Sequence, residues 1–463
     1  MNVWRPPTPF GILFHVKINS KNTLLTILLI CPVCILVGCW FFLTVNVPYW
    51  DDYAAFIKYF AEPWPDRWTH LFDLHNEHRI VTTRLIADSL AAFNGGVFNF
   101  RAMMAAGNLI QLAYAVGWLM VFKKSAFGVW AGLPTFWLLT SFLNYENSCW
   151  ALTSVQNVIV IALAFAACQA FANRHRGARY TALAVFCAVG ATYSSGGGML
   201  IWPCLIAMEI CVPLTRERRW EVGLRALWHN AVASWKRLSV LIIAAGLSIG
   251  FYFHGFTASG GGTAVGLTTR IVNGALFTVA FLGGIVPVYA AALLVGTILL
   301  PVLIYLIYRY PRIKTPSVFW FTMAEFGTML TAAFFRSEDP HAAVSSRYCI
   351  VSCSVFAGVF FLFLEQSVIP KRLAQRGICL TTAGVILYTT AFLVLGAPLF
   401  AMRNELMRRN ILTWPSSMEG LRSNALETDN EHLRRCVERG AYDPSVLLKP
   451  GETPPERPAP WLK

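Results

Sequence analysis

The sequence predicts an all-α polytopic membrane protein of about eleven transmembrane helices, and three observations carry that prediction. Hydrophobic residues make up 56% of the 463 positions and charged ones only 13%, with a mean hydropathy of +0.53, a balance outside the range of soluble globular chains. Apolar runs of roughly 20 residues, the length that crosses the hydrocarbon, recur along the chain. The Lys and Arg behind the formal charge of +14 sit in short clusters between those runs, where they set orientation in the lipid bilayer. That distribution points away from a nucleic-acid partner.

Runs near 23–45, 101–122, 126–143, 151–172, 180–194, 197–214, 238–256, 285–308, 317–335, 348–366 and 377–397 supply the spans. The first is long enough to cross and is flanked by Lys17 and Lys21, so it reads as an anchor and not a cleaved signal. Under this count Arg5, Lys17, Lys21, Lys123, Lys124, Arg174, Arg176, Arg179, the loop Arg216 to Arg237, Arg309, Arg312, Lys314, Lys371, Arg372 and Arg376 share one side, expected to be cytoplasmic. The expected plan is a cytoplasmic N-terminus over 1–22, a membrane domain over 23–397 and a small extracytoplasmic tail over 398–463 packed on the outer face. The outer side also receives segment 46–100, the turn 144–156, the loop 257–286 and the turn 336–347.

Within segment 46–100, Tyr49, Tyr53, Phe56, Ile57 and Phe60 recur at spacings of three and four, the pattern of a helix lying in the interface. Pro63-Trp64-Pro65 ends it. A second helix is predicted over 66–93, with Leu71, Leu74, Val81 and Leu85 on one face and Asp73, Glu77, Arg84 and Asp88 on another. Ser194-Ser195-Gly196-Gly197-Gly198 interrupts apolar sequence, predicting two short helices that meet beneath a cavity. Ser259-Gly260-Gly261-Gly262 reads as a hinge, and neither glycine run has phosphate-loop spacing. Most of the twelve cysteines lie within spans, and the Cys31 and Cys34 pair reads as packing.

The chemistry concentrates in four polar clusters on the outer side. Asp51 and Asp52 follow the first span, where a carboxylate at an apolar site can act as general base; the alternative is an N-terminal cap for the helix from Tyr53. His75, His78 and Arg79 stand at i, i+3 and i+4 on the predicted helix, with Glu77 between; two imidazoles so spaced can ligate a divalent metal or bind an anionic head group. Packing or surface histidines are the alternative. Glu146, Asn147, Trp150 and Gln156 offer amides, a carboxylate and an indole to sugar hydroxyls, or form an interfacial turn with an aromatic belt residue. Arg336, Arg347 and Tyr348 lie on the side where cations are disfavoured, and guanidinium suits a phosphodiester; an ion pair of Arg336 with Glu338 or Asp339 is the alternative. His254 stands at the outer end of the seventh run.

Taken together, the acidic pair in Trp50-Asp51-Asp52-Tyr53, the juxtamembrane helices and the helix count resemble the GT-C superfamily of integral-membrane glycosyltransferases, in an uncharacterised bacterial branch. The resemblance implies a GT-C-like fold in the bacterial inner membrane, a polyprenyl-phosphate-linked sugar as donor and an envelope glycolipid or glycan as acceptor. It implies Asp51 or Asp52 as base, with Asp51 favoured, and Arg347, Arg336 and Arg79 with Tyr348 at the donor phosphate. The His-Pro-Pro motif of lipid A aminoarabinose transferases is replaced by His75 to Arg79, and the large soluble domain of oligosaccharyltransferases is absent. No cofactor is required by this chemistry, with a divalent metal at His75 and His78 as an option. An extracytoplasmic polysaccharide polymerase, or a transporter or flippase of a lipid-linked or anionic solute, is the alternative function.

Overall fold

The computed structural model describes residues 20–256, 266–336, 338–366, 370–414 and 426–447. The expected cytoplasmic segment up to residue 19, the Ser259 to Gly262 hinge and the Pro-rich end of the tail lie outside the described residues. The principal helices are α1 (Ser20–Leu43), α2 (Val81–Phe93), α3 (Phe100–Lys123), α4 (Leu133–Thr140), α5 (Ala151–Ala172), α6 (Ala178–Thr192), α7 (Ile201–Ile210), α8 (Trp235–Phe253), α9 (Leu267–Leu282), α10 (Tyr289–Tyr308), α11 (Pro316–Arg336), α12 (Ser346–Gln366), α13 (Lys371–Thr413) and α14 (Leu426–Glu438). Eight of them, α1, α3, α5, α8, α10, α11, α12 and α13, are long and apolar enough to cross a membrane, with shorter apolar helices at 178–192, 196–210 and 268–282. The chain is thus an all-α multi-pass membrane protein. Its centre is an aromatic cluster in which Phe165 of α5 lies 5.4 Å from Tyr114 and 5.1 Å from Trp118 of α3 and 5.3 Å from Phe321 of α11.

Four expectations change. The run at 126–143 is not one continuous helix: Gly128–Gly132 forms a 3-10 turn, Pro134 opens the eight-residue α4, and extended backbone at Ser141 closes it. Contacts of Gly132 with Phe122, and hydrogen bonds of Gln111 with the Leu139 oxygen and of Asn108 with the Ser148 oxygen, lay the broken run back along α3. The loop expected over 257–286 contains α9, which packs on α10 backbone to backbone because a Cβ at Gly283 would stand 1.9 Å from the Ala292 oxygen and one at Gly296 1.8 Å from the Val279 oxygen. The last helix does not end at residue 397 but runs through Pro398 to Thr413. The stretch 66–93 is not one helix: a 3-10 turn at Asp66–His70 leads into a hairpin pairing Leu74–His75 with His78–Arg79, and only then α2 begins. Asn76, with φ of 52°, makes the reversal in the left-handed region where Asn is tolerated.

The first segment is also buried where an interfacial helix was expected. Tyr53, Phe56, Ile57 and Phe60 are at most 1% exposed, because α14 lies over them. Leu433, Cys436, Val437 and Tyr442 close that second core against Phe56, Phe98 and Phe100, so the tail has a core of its own making with segment 46–100. Tyr442 donates to the Asn46 oxygen (2.8 Å) and Phe98 N to the Ala441 oxygen (2.7 Å).

The glycine run does break the helix: α6 stops at Thr192, Gly196–Leu200 forms a 3-10 turn, and α7 follows. Gly198 lies against α6, where a Cβ would meet the Ala191 oxygen at 2.0 Å. At the far end of α5 and α8, Glu209 of α7 ties the bundle by accepting from Arg174 and from Arg237, the latter at 2.7 Å from Nη2. The Gly198→Ala variant is expected to lose about 1–3 kcal/mol of stability from overpacking, read as a fall in the thermal midpoint in detergent; an unchanged midpoint means the turn yields without cost.

Candidate functional site

Tyr49 to Asp52 form a tight turn in which Asp52 N donates to the Tyr49 oxygen (3.0 Å) and Tyr49 N donates to Asp52 Oδ2 (3.1 Å). Trp50 takes a positive φ of 49° and its side chain is 44% exposed. The two aspartates then diverge. Asp52 is fully buried, and its Oδ1 accepts from Leu152 N in the first turn of α5 at 2.9 Å, so it caps that helix from a distant segment. Burial holds its carboxyl well above the ordinary aspartate range, against the pull of the Tyr49 and Leu152 N–H groups. Asp51 is half-buried. Burial raises its carboxyl, the Arg347 and Arg336 guanidinium groups lower it, and Glu77 raises it again. Asp51 is therefore within electrostatic reach of the two arginines without an ion pair to either.

Those arginines come from the ends of two neighbouring helices. Arg336 closes α11 and Arg347 opens α12, and their guanidinium carbons lie 5.9 and 5.3 Å from the centre of the Tyr348 ring. Neither takes part in an ion pair among the described residues, Glu338 and Asp339 included. Arg347 Nε is buried and without a hydrogen-bond partner. The backbone of Arg347 is fixed by the turn before α5: its N–H donates to Glu146 Oε2 (2.7 Å), and its carbonyl accepts from Asn147 Nδ2 (3.0 Å) and Asn157 Nδ2 (3.3 Å).

This geometry corrects the sugar-binding reading of the second cluster. Glu146 and Asn147 hold the start of α12, and Asn147 is fully buried. Trp150, only 4% exposed, packs edge-on to Tyr49 at 5.3 Å and presents no open face to a sugar, while Gln156 is buried within α5. Asn147, Trp150 and Gln156 are thus buried away from an acceptor, and half-buried Glu146 has one oxygen committed to Arg347 N.

Arg79 is likewise no phosphate ligand. It is buried, its Nε donates to the Tyr252 oxygen (2.6 Å), and its two terminal nitrogens donate to the Phe72 and His254 carbonyls. A cation at the C-terminal end of α8 satisfies carbonyls that the helix leaves open. His254 contributes that carbonyl and is itself exposed.

His75 and His78 are opposite one another in the hairpin, not one helical turn apart. Burial first, then Arg84, pushes His75 down to about 3, so its imidazole is neutral, and its Nε2 has no partner. Burial also lowers His78, whose Nδ1 accepts from Gly196 N at 3.4 Å, which links the hairpin to the glycine break. Glu77, at the exposed hairpin turn, offers its backbone oxygen to the Tyr252 hydroxyl (2.9 Å). Among the described residues no group of three His, Cys, Asp or Glu side chains is disposed to hold a metal.

One residue at this end was not singled out by the sequence. Arg403 of α13 lies over the rings of Phe400 (3.7 Å) and Tyr49 (4.8 Å), with Nε buried and unpartnered. It falls beyond the expected end of the last span, and its signal was an arginine directly after an apolar run with no acid before Glu405.

Comparison with known proteins gives no matching family model, curated protein or solved structure. Asp52→Asn is expected to cost about 1–3 kcal/mol, since an amide cannot accept from both N–H groups; a lowered thermal midpoint checks the capping role, and an unchanged one removes it.

Proposed function

We propose that the chain is a membrane glycosyltransferase of GT-C type, moving a sugar from a polyprenyl-phosphate carrier to a hydroxyl of an envelope glycolipid or glycan on the outer face of a bacterial inner membrane. The observation that supports this reading is that Asp51 lies within electrostatic reach of Arg336 and Arg347, two guanidinium groups that form an ion pair with no carboxylate among the described residues. A carboxylate base and bidentate guanidinium donors free of ion pairs are what an inverting transfer from a phosphodiester needs. Asp51 takes the proton of the acceptor hydroxyl as its oxygen attacks the anomeric carbon. The C–O bond to phosphate breaks, and the departing polyprenyl phosphate carries its charge to Arg336 and Arg347.

A transporter reading draws on one observation: Glu325, midway along α11, is 4% exposed, with no hydrogen bond or ion pair among the described residues. Intramembrane acids of this kind mark transport paths in other proteins. Incubation of the purified protein with radiolabelled polyprenyl-phosphate sugars and envelope glycolipids separates the readings, because a transporter leaves the sugar on its carrier.

In that assay Asp51→Asn is expected to lose about 10²–10⁴-fold in transfer while keeping its thermal midpoint; full activity ends the general-base role. Arg347→Ala is expected to raise the donor KM more than the acceptor KM. The pH profile adds a sign. The base works deprotonated, so activity falls with pH through a limb that lies above the ordinary aspartate value of 3.8, and removing Arg347, which lowers Asp51, moves that limb to higher pH. A limb that stays in place separates Arg347 from Asp51.

A further inference from the structure

Three arginines follow Pro398 on α13 and they are not equivalent. Glu405 takes two of them, at 2.9 Å from Arg408 and 3.0 Å from Arg409. Arg403 points elsewhere: one terminal nitrogen donates to Asn404 Oδ1 at 3.3 Å, and the rest of its donors have no partner among the described residues. Its flat face rests on Phe400 and Tyr49, and Tyr49 leads through exposed Trp50 to Asp51. Glu146 lies within electrostatic reach of Arg403, but one of its oxygens is held by Arg347 N and the two side chains form no ion pair. The chain thus carries two guanidinium positions free of ion pairs among the described residues, Arg336 with Arg347 against Tyr348 and within reach of Asp51, and Arg403 against Tyr49 and within reach of Glu146.

A single phosphodiester donor accounts for the first position and leaves the second unused. A half-buried guanidinium stacked on rings, with donors to spare, selects a planar or tetrahedral oxyanion. An acidic molecule approaching Asp51 and Glu146 would otherwise be repelled. We infer that Arg403 forms a second anion subsite, which takes the acidic group of the acceptor, so that the acceptor is a phosphorylated or carboxylate-bearing glycolipid or glycan. This rests on the transferase reading for the word acceptor; the anion subsite itself does not.

The test uses the full-length protein with Arg403→Gln and Arg403→Lys. Three matched acceptors are assayed with the polyprenyl-phosphate sugar that the wild type uses: a phosphorylated glycolipid, a uronic-acid glycolipid and a neutral one. Arg403→Gln is expected to raise the KM of an acidic acceptor about tenfold or more, with donor KM and neutral-acceptor kinetics unchanged, and Arg403→Lys to restore part of the loss. Which acidic acceptor responds tells phosphate from carboxylate. An equal effect on acidic and neutral acceptors, a rise in donor KM, or no effect overturns the proposal. If the wild type transfers nothing, the transferase reading fails and binding decides the subsite, with Trp fluorescence following titration by the phosphorylated and uronic-acid glycolipids. Binding lost in Arg403→Gln and kept in Arg347→Ala sustains it, while any other pattern overturns it. Should Arg403→Gln not fold, Arg403→Lys carries the same comparison, with a partial rise in acidic-acceptor KM expected.

Discussion

Two carboxylates that cap helices from other parts of the chain hold this end of the molecule in register. A buried helix start leaves N–H groups that water cannot reach, and each must find an acceptor. Asp52 supplies one to Leu152 at the start of α5, and Glu146, in the turn just before that helix, supplies one to Arg347 at the start of α12. The segment after α1, the start of α5 and the start of α12 are therefore linked by two short bonds in series. Asp51 precedes Asp52 by one residue and Arg347 is itself the capped residue, so the capping brings the carboxylate within electrostatic reach of the guanidinium.

The arginines around this frame divide by what lies within their reach. Arg79 and Arg84 are consumed by main-chain carbonyls, the first closing the end of α8 and the second holding the His70, Leu71 and Asp73 carbonyls with one terminal nitrogen. Arg67 is consumed by Asp88, which also accepts from the Tyr59 hydroxyl at 2.6 Å. These cations hold the hairpin and the juxtamembrane segment rigid. What is left over, at Arg336, Arg347 and Arg403, is positive charge beside aromatic rings without a protein counter-ion among the described residues. Chemically it is the same side chain in every case; supply of oxygen acceptors decides whether it builds the fold or awaits a ligand.

The tail covers part of the first segment, and the hairpin ties that segment to the bundle. Tyr53 to Phe60 are covered by α14, and the large aromatic side chains left exposed on this segment are Trp50, Trp64, Trp68, Phe72 and Phe93. The hairpin touches the glycine break between α6 and α7 through His78 and the end of α8 through Arg79, so one small element contacts all three.

The membrane class, most of the span positions and the break at Gly196 to Gly198 were legible in the sequence, because apolar run length and the placement of charge are properties of the chain itself. The brevity of α4, the helix at Leu267–Leu282, the passage through Pro398 and the reversal at Asn76 were not, since each depends on which backbone or side chain packs alongside. The same holds within the site. A run of His75, His78 and Arg79 satisfies a helical spacing equally well when it is a hairpin, and two adjacent aspartates are identical in sequence until one finds the N–H of Leu152, 100 residues away. Hydropathy is a sum over neighbours along the chain, and tertiary structure alone decides which polar groups find their partners across it.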